Sequence, residues 1–154
     1  MPDMAGTREA LDVGIREYRT EDYESVLALW AGADLPFKPE GRDRRKIIDS
    51  QVRKPNVVFL VAECGGRIIG TVLATHDGRK GWINRLAVDP GFRRRGIGSR
   101  LVREAEDRFE ALGMDVLACL IEEGNDASVR TFETLGYEHH PEIHYFVKKR
   151  YPSA

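Results

Sequence analysis

The sequence predicts one mixed α/β domain, built on a largely antiparallel sheet of six or seven strands flanked by about four helices. Three observations predict it. Residues 56–88 run through three β-rich segments separated by glycine-bearing turns, as in an antiparallel meander. An amphipathic stretch over 96–112 then leads into a short apolar run at 116–121, a strand–helix–strand order that makes one parallel step. No internal repeat or linker divides the 154 residues, which suffice for a single core.

Residues 1–12 are polar and aperiodic and read as a mobile leader to a domain spanning 13–154. Residues 13–19 alternate as a strand anchored by Ile15 and Tyr18. Thr20 reads as a helix N-cap, because acidic Glu21 and Asp22 follow where the helix dipole favours them. Val26, Leu27 and Trp30 give that helix its apolar stripe. Two prolines and two glycines make 32–41 a loop, and 42–53 forms a second helix carrying Ile47, Ile48 and Val52.

Strands are expected at 56–64, 67–76 and 81–88, with turns at Gly65-Gly66 and Asp77-Gly78. Pro90-Gly91 ends the third. In the long helix Ile97, Leu101, Val102, Ala105, Phe109 and Leu112 fall at helical spacing, and Gly113 is the C-cap. A strand at 116–121, a helix at 125–135 stopped by Gly136, and one or two closing strands within 137–150 complete the order.

Composition narrows the function. A net charge of −1 provides no overall field for nucleic acid or an anionic membrane, so any anion must be held locally. Cys64 and Cys119 lie in apolar runs and form neither a metal set nor a disulfide framework, which fits a reducing cytoplasm. No apolar stretch reaches the roughly 20 residues of a membrane span, and the N-terminus lacks a basic-then-apolar signal pattern.

The chemistry concentrates where a strand ends in Leu86-Ala87-Val88-Asp89-Pro90 and a helix opens after Arg93-Arg94-Arg95-Gly96-Ile97-Gly98-Ser99. A helix start exposes backbone N–H groups without intrahelical partners, and its dipole makes that end positive. Glycines admit a bulky diphosphate to the backbone, and arginines add charge-assisted bonds. Each feature alone has a plain reading: a solvated charge run, or a helix that happens to begin with glycines. A dinucleotide fingerprint lacks its third glycine here, a P-loop lacks its Gly-Lys-Ser/Thr, and one arginine triplet without interleaved aromatics is thin for a nucleic-acid patch.

These residues resemble the GNAT superfamily of acyl-CoA N-acyltransferases. Its pyrophosphate loop, Arg/Gln-x-x-Gly-x-Gly/Ala, is matched by Arg93, Gly96 and Gly98 after the Leu-Ala-Val-x-Pro strand end. A second element, Asn-x-x-Ala-x-x-x-Tyr-x-x-x-Gly-Phe/Tyr, is partly matched by Asn125, Ser128, Phe132, Gly136 and Tyr137. Leu29-Trp30 and the turn His-Asp-Gly-Arg-Lys-Gly at 76–81 are similar to small acetyltransferases of the YpeA type.

The resemblance implies acetyl-CoA as cosubstrate, no metal, and acetyl transfer to a primary amine of a small molecule or peptide by direct attack in a ternary complex. It implies that the strand ending at Val88 splays from its neighbour, with Leu86, Ala87 and Val88 on the pantetheine arm and a backbone N–H on the thioester oxygen. Arg93, Arg94, Arg95, Gly96, Ile97, Gly98 and Ser99 would hold the pyrophosphate, while Asn125, Ser128 and Phe132 would line the thiol side. Asn125 also reads as a plain helix N-cap. The acceptor would enter near residues 31–45, a loop with Asp34, Phe37, Lys38 and Glu40. Members of this fold frequently form homodimers.

Departures from the family pattern fall on the catalytic positions. Phe132 replaces a tyrosine acid, Leu120 a glutamate, and Asn84 a carboxylate. Glu122, Asn84 and Tyr145 are candidate substitutes, as is Glu123, each with a structural reading beside it: a solvated strand end for the glutamates, a packed tyrosine for Tyr145. His76 and Asp77 read as turn residues, His139, His140 and His144 match no zinc spacing, and Cys119 reads as a small apolar strand residue. The alternative to an enzyme is a non-catalytic acetyl-CoA-binding module.

Overall fold

The structure, a computed structural model, describes residues 12–154. The expected leader lies outside the described residues except for Asp12. Strands β1 (Val13–Glu17), β2 (Val57–Cys64), β3 (Arg67–His76), β4 (Lys80–Val88) and β5 (Val116–Cys119) form one sheet in sequence order. Successive pairs are antiparallel except β4–β5, which is parallel. Helices α1 (Tyr23–Gly32) and α2 (Arg45–Val52) lie between β1 and β2, α3 (Ile97–Ala111) crosses from β4 to β5, and α4 (Asp126–Thr134) follows.

Helices cover both faces of the sheet, which is why the central β3 reads as an almost unbroken apolar run rather than an alternating one. Ile68 to Ala74 are all buried. On one face Val26, Leu29 and Trp30 of α1 and Ile48 of α2 meet Phe59, Val61 and Leu73. On the other Ile97, Leu101, Val102, Ala105 and Phe109 of α3 meet Leu60, Ile69, Val72 and Ile83. Each large side chain in that α3 stripe contributes about 1.5–3 kcal/mol through burial, an upper value because unfolded chains already hide some surface.

Close approach of α3 to the sheet depends on Gly81. A Cβ there would lie 2.4 Å from Leu117 Cδ2 and 2.6 Å from Phe109 Cδ2. Phe109 is fully buried and has nowhere to retreat. Gly81→Ala is therefore expected to destabilise the fold by about 1–3 kcal/mol through overpacking, read as a lowered urea midpoint with unchanged slope; an unshifted midpoint would show that α3 has slack.

Among the described residues the sheet has five strands rather than six or seven. Residues 138–150, expected to close it, carry no strand assignment among the described residues, and the outer edge of β5 is left without a partner. Three boundaries also differ. Thr20 does not cap a helix: it opens a one-turn 3₁₀ segment with Glu21 and Asp22, and its hydroxyl bonds the Asp49 carboxylate at 2.7 Å. Asp22 turns back instead to the Arg19 N–H and to Arg16, so α1 begins at Tyr23. Helix α2 starts three residues late because Arg44 is extended and the buried Asp43 is held by the preceding loop. Leu112 is 56% exposed, past the last turn of α3 and off its buried stripe.

Strand β4 sets up the site. Leu73 faces Arg85 and Ala74 faces Ile83, so Asn84 is the extra residue of a β-bulge. Pairing to β5 covers only Lys80 to Ile83. Beyond the bulge, residues 84–88 are bonded on the β3 side alone, and β4 and β5 part.

Candidate functional site

The gap between the parted strands opens into a cleft of about 1760 Å³. Its floor is residues 83–88, and from Asn84 onward the backbone groups on the β5 side lack a ladder partner. One wall is the start of α3 with the chain that leads into it, a second is residues 119–134 of β5, the following loop and α4, and the far end is α2 with the loop before it.

The α3 start is shaped by two left-handed residues. Asp89 ends β4 with its N–H on the Ile69 carbonyl at 2.8 Å, while its carboxylate accepts from the Gly91 N–H at 2.8 Å and pairs with Arg67. After an extended Arg93, the chain passes through Arg94 at φ 61° and Gly96 at φ 74°. Glycine takes that conformation freely, whereas for Arg94 it costs on the order of 1 kcal/mol. The first backbone bond of the helix runs from the Arg100 N–H to the Gly96 carbonyl. The N–H groups of Ile97, Gly98 and Ser99 are thus free of intrahelical acceptors at the positive end of a 15-residue helix. Left-handed and right-handed residues in succession turn several N–H groups into one concavity, an anion nest.

The cleft brings together most of the residues that the sequence singled out. Leu86, Ala87, Val88, Arg93, Arg94, Gly96, Ile97, Gly98, Ser99, Asn125, Ser128 and Phe132 all line it, together with Asn84, Leu120, Glu122, Glu123 and Tyr145. Arg95 does not line it; its guanidinium lies over the Phe92 ring at 5.4 Å, a ring that Arg67 also approaches at 5.7 Å. Asn125 caps α4, its Oδ1 accepting from the Ser128 N–H at 3.3 Å. His76, Asp77 and the histidines at 139, 140 and 144 lie outside the cleft. Among the described residues, no group of three or more His, Cys, Asp or Glu is placed to hold a metal ion.

Proton-transfer groups are sparse. Phe132 is buried edge-on to Tyr137, with ring centroids 4.9 Å apart. The Tyr137 hydroxyl points instead to Glu106 at 3.3 Å, and burial, reinforced by that carboxylate, raises its pKa. Burial also pushes the Cys119 thiol up to about 11, so it stays neutral near pH 7 and is a poor nucleophile. Asn84 spends its amide on the Thr75 hydroxyl at 2.8 Å. Glu122 and Glu123 are exposed at the cleft rim.

Sequence reasoning missed the pair that builds the far end of the cleft. Arg85, between the bulge and Leu86, donates to the Pro36 carbonyl at 2.7 Å and to Asp43 at 2.9 Å, and lies over the Trp30 ring at 4.7 Å. Asp43 also accepts from the Lys38 N–H at 2.6 Å. Burial lowers the Arg85 pKa, and the Asp43 carboxylate works against that shift. The pair straps the α1–α2 loop to the floor of the cleft. A lone charge inside the run Trp-Ile-Asn-Arg-Leu-Ala-Val was the available signal, since a charge in a covered strand requires a partner.

Known proteins share this fold. The chain resembles the PaiA N-acetyltransferase of Thermoplasma acidophilum, solved with coenzyme A, at a TM-score of 0.70 and 19% identity over 83% of this chain and 91% of that one. It matches the aminoglycoside acetyltransferase AAC(6')-Iy, solved with a CoA bisubstrate analogue, at 0.74 and 18% over 89% and 98%. Ard1 of Thermoplasma volcanium matches at 0.70 and 23% over 80% and 81%. At such identities these likenesses carry the fold. The Acetyltransferase (GNAT) family profile matches residues 15–137, most of the chain, and the protein belongs to that family.

Proposed function

We propose that this protein transfers an acetyl group from acetyl-CoA to a primary amine of a small molecule or peptide, by direct attack while both are bound, in the cytoplasm. One observation carries the reading: the unpaired half of β4 runs straight into the free N–H groups of α3, so one continuous cleft offers a backbone edge to a pantetheine arm and an anion nest to its diphosphate. Diphosphate oxygens would accept from Ile97, Gly98 and Ser99, with Arg93 and Arg94 at the rim. Backbone groups of Leu86, Ala87 and Val88 would align the arm, and an N–H there would stabilise charge developing on the thioester oxygen. CoA-bound relatives of the same fold support this assignment.

The chemistry then needs two proton movements. The amine nitrogen bonds to the acyl carbon, the carbon–sulfur bond breaks, the nitrogen sheds a proton and the thiolate takes one. A protonated amine cannot attack, and Glu122 at the cleft rim is a carboxylate candidate to receive the proton through water. Asn84 has its amide engaged and serves by orientation. Tyr145 also lines the cleft and is the one phenol there among the described residues, so it is the candidate acid for the thiolate. Positioning and oxyanion stabilisation supply most of the acceleration, because general acid–base help is about 10²–10⁴-fold.

Relatives solved with aminoglycoside ligands favour a small-molecule acceptor. The test is calorimetry with acetyl-CoA followed by release of CoA thiol across a panel of amines. Binding with acceptor-dependent release supports the enzyme. Binding without release from any amine supports the second reading, a non-catalytic acetyl-CoA-binding module, which the buried Phe132 and the exposed Leu120 favour. Phe132→Tyr is expected to raise kcat by up to about 10²-fold, the lower end of what a general acid contributes, with acetyl-CoA affinity unchanged. An unaltered kcat would show that thiolate protonation does not limit turnover.

A further inference from the structure

We propose that the amine acceptor also carries an anionic group, a carboxylate or a phosphate, which α2 receives; this rests on the acetyl-transfer reading above. The two sides of the cleft bear charges of opposite sign. At the α1–α2 end, Arg42, Lys46 and Lys54 line it together with Asp34. Arg85 and Asp43 line the same end but neutralise each other at 2.9 Å. Three cations therefore stand against one carboxylate. On the β5–α4 wall the balance is reversed, with Glu122, Glu123 and Asp126 against Arg130. The whole chain has a net charge of −1, so this division is local.

Helix geometry puts the α2 cations on the cleft side. Lys46 and Ser50 sit one turn apart on α2, Lys54 follows four positions on, and Ile48 packs into the core behind them. Lys46 occupies the first turn of the helix, which holds no acidic residue. A cation there opposes the helix dipole, so local stability does not account for it. Its neighbour Arg45 is compensated, since it pairs with Glu24 and lies over the Tyr23 ring at 4.7 Å. Among the described residues Lys46 and Lys54 join no salt bridge. Arg42 reaches only an Asp43 oxygen, 4.0 Å away, that Arg85 already holds. Lys54 lies past the negative end of α2, where the dipole favours it, so Lys46 is the sharper indicator.

The diphosphate does not need these cations. Helix α2 packs with α1 on one face of the sheet and α3 on the other, and Arg93 and Arg94 stand at the α3 start. An acceptor spanning the cleft would turn its ammonium toward Glu122 and its anion toward Lys46, where Ser50 and Gln51 add hydrogen-bond donors. Transfer keeps the balance given above: the nitrogen loses a proton, the thiolate gains one, and the anion is unchanged. A polycationic acceptor would instead bring like charge against three cations. The acceptor class is thus an amino acid or an aminoalkyl phosphate, rather than a polyamine or an aminoglycoside.

The test is calorimetry on the full chain, with and without saturating CoA, using butylamine, diaminobutane, γ-aminobutyrate and aminopropyl phosphate. At low salt an anionic amine should bind at least about tenfold more tightly than the first two. Which anionic amine binds more tightly distinguishes carboxylate from phosphate. The preference should fade as the Debye length falls from about 30 Å at 0.01 M salt to about 3 Å at 1 M. Lys46→Glu should abolish it while raising the melting temperature slightly, since an acid suits the first turn of a helix; Lys46→Arg should keep it. Equal binding of the four amines, tighter diamine binding, no amine binding, or a preference that survives Lys46→Glu each overturns the proposal. Thiol release from acetyl-CoA is read separately. Selective binding without release retains the anionic ligand and overturns only the transfer reading, whereas release that favours the diamine retains transfer and overturns the anionic acceptor.

Discussion

Gly98→Trp is expected to weaken acetyl-CoA binding more than 100-fold while lowering the melting temperature by only a few degrees. The reason lies in where the side chain would go. A Cβ on Gly98 meets Val88 Cγ2 at 3.6 Å and Leu86 Cδ2 and Thr131 Cγ2 at 3.8 Å, all ordinary contacts. The backbone there is helical, so no conformational penalty accompanies the change. The indole extends between the end of β4 and α4, into the space assigned to the diphosphate and the arm behind it. Losing access to several charge-assisted N–H bonds at about 1.5–3 kcal/mol each exceeds the 2.7 kcal/mol of a 100-fold effect. Calorimetry and thermal denaturation on the same preparation separate the outcomes. Unchanged affinity contradicts the placement of the diphosphate, and a collapsed melting temperature makes the substitution a packing change; Gly98→Ala, which adds only the Cβ, is expected to bind normally.

Asp43→Ala is expected to cost about 3 kcal/mol of stability and to raise the KM for the amine without altering acetyl-CoA affinity. Side-chain exposures of 11% for Arg85 and 6% for Asp43 put the pair well inside the fold. Removing one partner of a buried pair costs about 3–5 kcal/mol, because it leaves the other charge uncompensated. The lower end applies here, since Arg85 borders a cleft that water reaches. Loss of the carboxylate also frees the Lys38 N–H and loosens the α1–α2 loop at the far end of the cleft, where the proposed acceptor would sit. Chemical denaturation and steady-state kinetics check the two halves. A variant of wild-type stability would mean that the pair is worth no more than a surface bridge.

Much of the fold was legible in the sequence because its signals were local. Glycine turns at 65–66 and 77–78, alternation in β1 and the 3.6-residue stripe of α3 each depend on a few neighbouring residues. The cleft wall from Leu86 to Ser99 was legible for the same reason: it is one contiguous segment whose glycines and arginines imply its backbone geometry. The far end of the cleft was not, since Arg85 and Asp43 lie 42 positions apart and only the fold brings them together. Three adjacent arginines look alike in sequence, yet only Arg93 and Arg94 line the cleft, since the left-handed residues Arg94 and Gly96 turn the chain between them and Arg95 lies over Phe92. The closing strands have the right composition and no partner in their own domain, so composition alone misjudged the sheet.

Backbone amide shifts during a titration with acetyl-CoA test the central claim most directly. If the cleft between the parted strands receives the cosubstrate, the largest perturbations fall at Leu86 to Val88 and at Ile97, Gly98 and Ser99, saturating together with one dissociation constant. Shifts confined to Arg95 and Phe92 or to residues 138–150, or no shifts at any concentration, would contradict it.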